Sequence, residues 1–530
     1  MAKEMLFIAF LIFCVTKTIT GQCITANDII VNETSIGTAV RNLIDGSTQF
    51  SLNLLRTLHD DQRSDKEAKG LFFSPHSIWS ALVVTYMGSR GATEQEMKNV
   101  LGIGDFDKAT AWEAFRNIRN WDILQEPGWA EEYTQEPPHS SYHSANRIYF
   151  QRDTVFKDCM REMLDSEIGF LDFANNPVES RDEINRWVEK ETQQKIKDLI
   201  PADGISSLTK MVVANAVYFK ESWQQPFDEQ KTVRRRFTTQ SRKDIFVNMM
   251  NTRGRFLYGK SEELQCYALE LPYAGNALSM TILLPKNRYN GVGILARSLT
   301  PERLRNLFLD LYPREVDVSV PKFKVEDSFE LSPVLSRMGL RTLFDTRRVD
   351  LSGFTGQREF SVDAVHHKAF IDVNEEGTEA AGATAIISSR SARPTGPASF
   401  IADYPFIYFI RDTISNVILF LGTVQKPAEY GRRIIGRTES PRPAKASRKS
   451  ELQSCNSSNT EARVLVAITG HGPTRTIAGG GTQNPTITVP MTRSKNPPTY
   501  PSISHMHIFE VPSGGSASKD KKVQWLDNFS

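Results

Sequence analysis

Residues 211–219 read MVVANAVYF, and the chain continues through Lys220 to Trp223 and Pro226-Phe227. The run is dominated by β-branched and aromatic side chains and predicts a strand. Further strands are predicted at 268–271, 278–284 and 316–320, and the last alternates strictly as Val316-Asp317-Val318-Ser319-Val320, the pattern of a half-buried strand. Apolar runs at 406–409 and 417–424 close this part of the chain.

Upstream of the decisive strand the periodicity is helical. Val40, Leu43, Ile44, Phe50, Leu52 and Leu55 predict a surface helix over 36–58. A loop turning at Ser74-Pro75 leads to a largely buried helix through Ile78, Leu82 and Met87, and another helix follows the break at Gly91-Ala92-Thr93. Thr93 and Glu96 have the spacing of a capping box. A further helix is expected over 181–201, with Ile184, Trp187 and Val188 on one face. Helices first and strands later, with helices interspersed, predict an α+β domain with antiparallel or mixed sheets.

Around this body the composition changes. The chain of 530 residues suits one large domain plus extensions. Its 64 basic and 62 acidic residues are so nearly balanced that nucleic acid and membrane surfaces are not expected as partners. Lys3 followed by the apolar run Leu6–Val15, with Thr20 and Gly21 as a cleavage point, has the form of a secretory signal over 1–21. Residues 121–143 carry Glu126, Glu131, Glu132 and Glu136 with three prolines and no Lys or Arg, which reads as an exposed acidic loop. From 428 to 530 the chain is basic and rich in Ser, Thr, Gly and Pro; this tail is expected to be mostly disordered. Cys14 lies in the signal, and Cys23, Cys159, Cys266 and Cys455 are scattered without zinc or framework spacing, so their pairing stays open. Asn32 and Asn456 begin N-glycosylation acceptor triplets.

Several motifs carry a resemblance. The residues Asn215 to Lys220 with Trp223 and Pro226-Phe227, Leu71-Phe72-Phe73-Ser74-Pro75-His76-Ser77-Ile78, Leu269-Glu270-Leu271-Pro272-Tyr273, Val320-Pro321-Lys322-Phe323, His367-Lys368-Ala369-Phe370, Glu376-Gly377-Thr378-Glu379-Ala380-Ala381 and Pro405-Phe406 stand in the order found in the serpin family. The chain resembles that family from about Ile36 to Pro427, departing at the acidic insertion and the tail. The resemblance implies a serpin domain over 22–427, with three β-sheets, about nine helices and an exposed reactive loop at about 375–400. It also implies the activity: a serine protease attacks the loop, and the cut loop enters the main sheet as a new strand carrying the acylated protease with it. No catalytic residue, metal or cofactor of the inhibitor's own is needed; HExxH, GxSxG, GxxxxGK[ST] and strand-borne GxGxxG motifs are absent.

The loop's own chemistry suits insertion. A strand entering a sheet buries alternate side chains, and the set Thr378, Ala380, Gly382, Thr384, Ile386 is small or apolar throughout. The opposite set begins with Glu379, which faces solvent, and continues through Ala381 and Ala383, so only one phase keeps the hinge carboxylate out of the core. Arg390 before Ser391 offers a trypsin-like protease the cation its aspartate-floored pocket pairs with. The family register instead counts to Ser391-Ala392, which suits a small-pocket protease, and Arg393 is handicapped by Pro394. The resemblance also assigns Ser74, Ser77, Asn215 and His367 to a buried cluster that controls sheet opening, and Trp223 to the top of the sheet.

The expected function is a secreted, extracellular, monomeric glycoprotein that traps a trypsin-like protease, resembling insect haemolymph serpins of innate immunity and melanisation. The alternative is a non-inhibitory serpin acting as carrier, store or chaperone; bulky or charged residues at Thr378 or Ala380 would favour it, and the chain has neither. Arg234-Arg235-Arg236 with Arg242 and Lys243, and the basic tail, raise weak polyanion binding as a further expectation.

Overall fold

The computed structural model describes residues 33–62, 65, 69–123, 141–358, 360–378 and 396–429. The signal segment, Asn32, most of the acidic insertion, the loop from Glu379 through Ala383, Arg390, Ser391, Ala392 and Arg393, and the tail with Asn456 lie outside the described residues.

A six-stranded sheet organises the domain. Its strands are β2 (Ser141–Gln151), β3 (Ile168–Leu171), β4 (Met211–Ser222), β10 (Phe323–Glu330), β11 (Ala364–Val373) and the short β12 (Gly377–Thr378), in the order β10-β11-β12-β4-β2-β3. The decisive stretch 211–219 is therefore central, and all nine of its residues are buried. Both faces of β4 are covered, which is why its sequence is almost continuously apolar. Met211, Val213, Val217 and Phe219 face the main core, whereas Val212, Ala214, Ala216 and Tyr218 pack with Ile184 and Val188 of a surface helix, Pro177–Glu191.

The remaining strands form a nine-stranded ladder in which two sheets join through one long strand. They are β1 (Gly70–Phe73), β5 (Val233–Thr238), β6 (Asp244–Ser261), β7 (Cys266–Pro272), β8 (Leu278–Pro285), β9 (Tyr312–Pro321), β13 (Ala398–Ile401), β14 (Phe406–Asp412) and β15 (Ile418–Val424). The first part of β6 pairs with β5 and its last part with β7, so a single 18-residue strand serves both sheets. With the six-stranded sheet this gives the three sheets expected.

Ten α-helices lie among the described residues. The first, α1, spans Glu33–Gln62, and α2 spans Pro75–Gly88 with every residue buried. Ser74 caps α2, its hydroxyl accepting from the Ser77 amide, and Pro75 occupies the first turn, where a missing N–H costs nothing. Phe72 and Phe73, read as part of the loop before Ser74, belong instead to the edge strand β1 on β15. The capping box is also corrected: α3 (Gly91–Leu101) starts at Gly91, placing Thr93 inside it. Thr93 accepts from the Asp350 amide, and the Glu96 carboxylate binds the Thr342 amide and hydroxyl; both side chains serve tertiary contacts rather than the cap. The surface helix expected to reach residue 201 ends at Glu191. Residues 121–123 continue helix α4 (Lys108–Ile123), and 141–143 begin β2, trimming both ends of the predicted acidic loop.

Candidate sheet-opening site

Strands β4 and β11 lie side by side and parallel, from Val212–Ala364 up to Tyr218–Phe370. Above that point the two strands no longer pair with each other. Instead Gly377 and Thr378 sit between them: Thr378 pairs with Val373 on one side and Glu221 on the other, and Gly377 pairs with Ser222. The start of the loop expected to be reactive is thus lodged as a wedge in the upper part of the main sheet.

Local sequence explains the wedge. Asn374 turns the chain back after β11: its side-chain oxygen accepts from the amides of Glu376 and Gly377, and its amide donates to the Gly377 carbonyl. Gly377 lies so close to β4 that an added Cβ would fall 2.1 Å from the Glu221 carbonyl oxygen, so no other residue fits without moving a strand. Thr378 is fully buried, and its hydroxyl lies 2.9 Å from the Tyr273 hydroxyl. This is the inward phase assigned to it from sequence.

Around the wedge, Trp223 stacks on Tyr273 with ring centroids 4.6 Å apart and donates its indole N–H to the Asn374 carbonyl. The Trp223 amide donates to the Glu376 carbonyl and the Phe227 amide to the Glu375 carbonyl. The Glu375 carboxylate accepts from the Thr232 hydroxyl at 2.7 Å and from Lys322 Nζ at 2.5 Å. Burial raises the Glu375 pKa, but these hydrogen bonds outweigh it and hold the carboxyl below its ordinary range. Tyr273, Asn374 and Glu375 were not singled out in the sequence; the one signal was that Tyr273 and Lys322 fall inside recognisable motifs.

Lower on the seam, the four polar residues expected to cluster do meet. His367 and Asn215 are register partners on β11 and β4. His367 Nε2 accepts from the Ser74 amide at 3.1 Å, which leaves the proton on Nδ1, donated to Asn215 Oδ1 at 2.5 Å. Asn215 Nδ2 donates to the Ser77 hydroxyl, and the Ser74 hydroxyl donates to the Leu419 carbonyl at 2.7 Å. Burial pushes the His367 pKa down to about 3, so the ring is neutral and every polar atom on it is used.

Elsewhere, the Arg234–Arg236 run lies on the edge strand β5, with Arg234 stacked over Phe246 and Arg236 paired to Asp244. Cys159 is disulfide-bonded, and Cys266 is a buried free thiol. Among the described residues no group of three His, Cys, Asp or Glu is placed to hold a metal, and no helix is long and apolar enough to cross a membrane.

A split central sheet with a loop hinge lodged in it defines a class. The family model described as Serpin (serine protease inhibitor) matches residues 45–427, and the chain belongs to the serpin family. It is 34% identical over 401 residues to Serine protease inhibitor 88Ea of Drosophila melanogaster, covering 73% of this chain and 91% of that protein. It is 36% identical to Leukocyte elastase inhibitor of Bos taurus, covering 72% and 98%. Among solved structures it is similar to Serpin48, described as a highly specific serpin in the insect Tenebrio molitor, with a TM-score of 0.60, 28% identity and coverage of 72% and 98%.

Proposed function

We propose that the chain inhibits a serine protease by presenting its loop as substrate and then drawing the cut loop into the gap between β4 and β11. The observation that carries this reading is the position of Gly377 and Thr378, already hydrogen-bonded in that gap and in the phase that buries small side chains. Each strand hydrogen bond adds only about 1 kcal/mol net, but a dozen of them with apolar burial is a large drive toward insertion. The relatives named as inhibitors support the same reading.

The target we propose is trypsin-like, cut at Arg390-Ser391, with Ser391-Ala392 and Arg393 as the other candidate bonds. The hinge is Glu376 through Ala383, and Ser74, Ser77, Asn215, His367 and Trp223 govern opening of the sheet. The inhibitor is secreted and acts as a monomer on an extracellular cascade of immunity or melanisation. The signal-like N-terminus supports secretion, as does the disulfide at Cys159, since such bonds persist mainly in oxidising compartments.

Incubation with trypsin is expected to give a covalent complex stable to boiling in detergent, with a released C-terminal peptide beginning at Ser391. A peptide beginning at Ala392 would move the reactive bond to serine. Clean cleavage without complex would overturn the inhibitor reading in favour of a carrier.

A further inference from the structure

Directly opposite Thr378, on β4, stands Glu221. By strand alternation its side chain shares the inward face with Val217 and Phe219, and it is 2% exposed. One carboxylate oxygen accepts from the Ser222 amide at 3.1 Å; the other is buried with no hydrogen-bond partner. An ionised carboxylate in that position is costly, whereas a neutral carboxylic acid is tolerated. Its neighbour in the sheet on that side is the hinge itself, Gly377 and Thr378.

We propose that Glu221 is a positioning residue that sets whether the hinge rests inside the main sheet: neutral, it leaves Gly377 and Thr378 docked, and ionised, it drives them out to regain water. This rests on the inhibitor reading for its consequence, because a docked hinge starts insertion two residues ahead. Burial raises the Glu221 carboxyl to about 7, so its charge changes in the neutral range. The titratable groups around it do not follow. From the turn after β7, Tyr273 is held neutral far above that range by burial. From the segment before β12, Glu375 stays ionised on Lys322. Along β11, Asp372 alternates away from the face that Val373 and Thr378 share, and His367 is neutral. On β4 itself Lys220 alternates to the other face, opposite Ser141 of β2, while Tyr142 of β2 pairs one step lower, with Phe219.

The sign follows from linkage. The docked state binds the proton more tightly, so docking strengthens as pH falls and weakens as pH rises through 7. If the released carboxyl has an ordinary pKa, docking should weaken about tenfold between pH 6 and pH 8. Hydrogen exchange of the full chain, followed on the peptide spanning Asn374 to Thr378 and corrected for intrinsic pH dependence, reads this directly. Wild type should lose about tenfold protection over that interval, while Glu221→Gln and Glu221→Ala should hold the low-pH protection throughout. A profile identical in wild type and Glu221→Gln, or flat in wild type, would overturn the proposal. The readout does not depend on any protease, so a chain that forms no complex with trypsin can still pass or fail it.

Discussion

The two ends of the β4–β11 seam are built on opposite terms. At the lower end His367, Asn215, Ser74 and Ser77 form a closed polar cluster in which the imidazole is neutral and both its nitrogens are bonded. At the upper end the strands are held apart by two loop residues, and a carboxylate oxygen of Glu221 is left without a partner. A satisfied cluster resists opening, because any movement strands buried polar atoms. An unsatisfied one favours movement. On the inhibitor reading proposed above, the contrast would have the sheet open from the top downward, with the hinge as the first residues in and the polar cluster as the last resistance.

The largest effect should come from blocking the wedge. Thr378→Arg places a charge where the native side chain is fully buried against Tyr273. The variant hinge cannot dock without stranding that charge, so the cut loop should stay out and the protein should become a plain substrate. Titration against trypsin is expected to show the stoichiometry of inhibition rising by about two orders of magnitude, in keeping with a penalty of about 3 kcal/mol. Retained complex formation would mean that insertion does not begin at this residue.

Next in size is loss of the lower lock. His367→Ala leaves the Ser74 amide and the Asn215 carbonyl oxygen unpaired in the core and should cost about 2–4 kcal/mol in urea unfolding. The same residue gives a pH signature. Its folded pKa lies below the ordinary value, so the unfolded chain binds the extra proton and stability falls as pH drops from about 6.5 toward 3. His366, also depressed by burial, acts in the same direction, so the variant should show a shallower acid slope rather than none. Glu221 has the opposite sign, raised rather than lowered, and works against stability as pH rises through 7.

How far the sequence carries this picture depends on the kind of interaction. Strands such as 211–219 and 278–284 are buried on both faces, so their apolar runs announce them whatever the surroundings. The lower cluster was legible because each member falls in a family motif. The capping box at Thr93 misled because a Thr/Glu pair at that spacing serves a tertiary contact equally well, and only the positions of Asp350 and Thr342 decide between them. Glu221, Asn374 and Glu375 could not be read as site residues at all. The contacts of Glu221 with Thr378, of Asn374 with Trp223 and of Glu375 with Thr232 join segments more than 100 residues apart, and a carboxylate on a strand looks solvated until the hinge is seen beside it.

The smallest effect expected separates the two carboxylates of the upper end. Glu375 is buried like Glu221, yet its carboxylate is bonded by Thr232 and Lys322 and stays ionised, tying the segment before the hinge to the loop after β9. Lys322 is partly exposed, and water competes for its charge, so Lys322→Ala should cost only about 1–2 kcal/mol in urea unfolding. Its consequence for the hinge should be clearer than its consequence for stability. Freed of its cation, Glu375 becomes a second buried carboxylate with an incomplete shell. The hinge should then exchange faster than in wild type at both pH 6 and pH 8, and fastest at pH 8, where Glu221 is charged as well. A variant whose hinge protection matches wild type at both pH values would show that the pair anchors the loop after β9 and leaves the wedge alone.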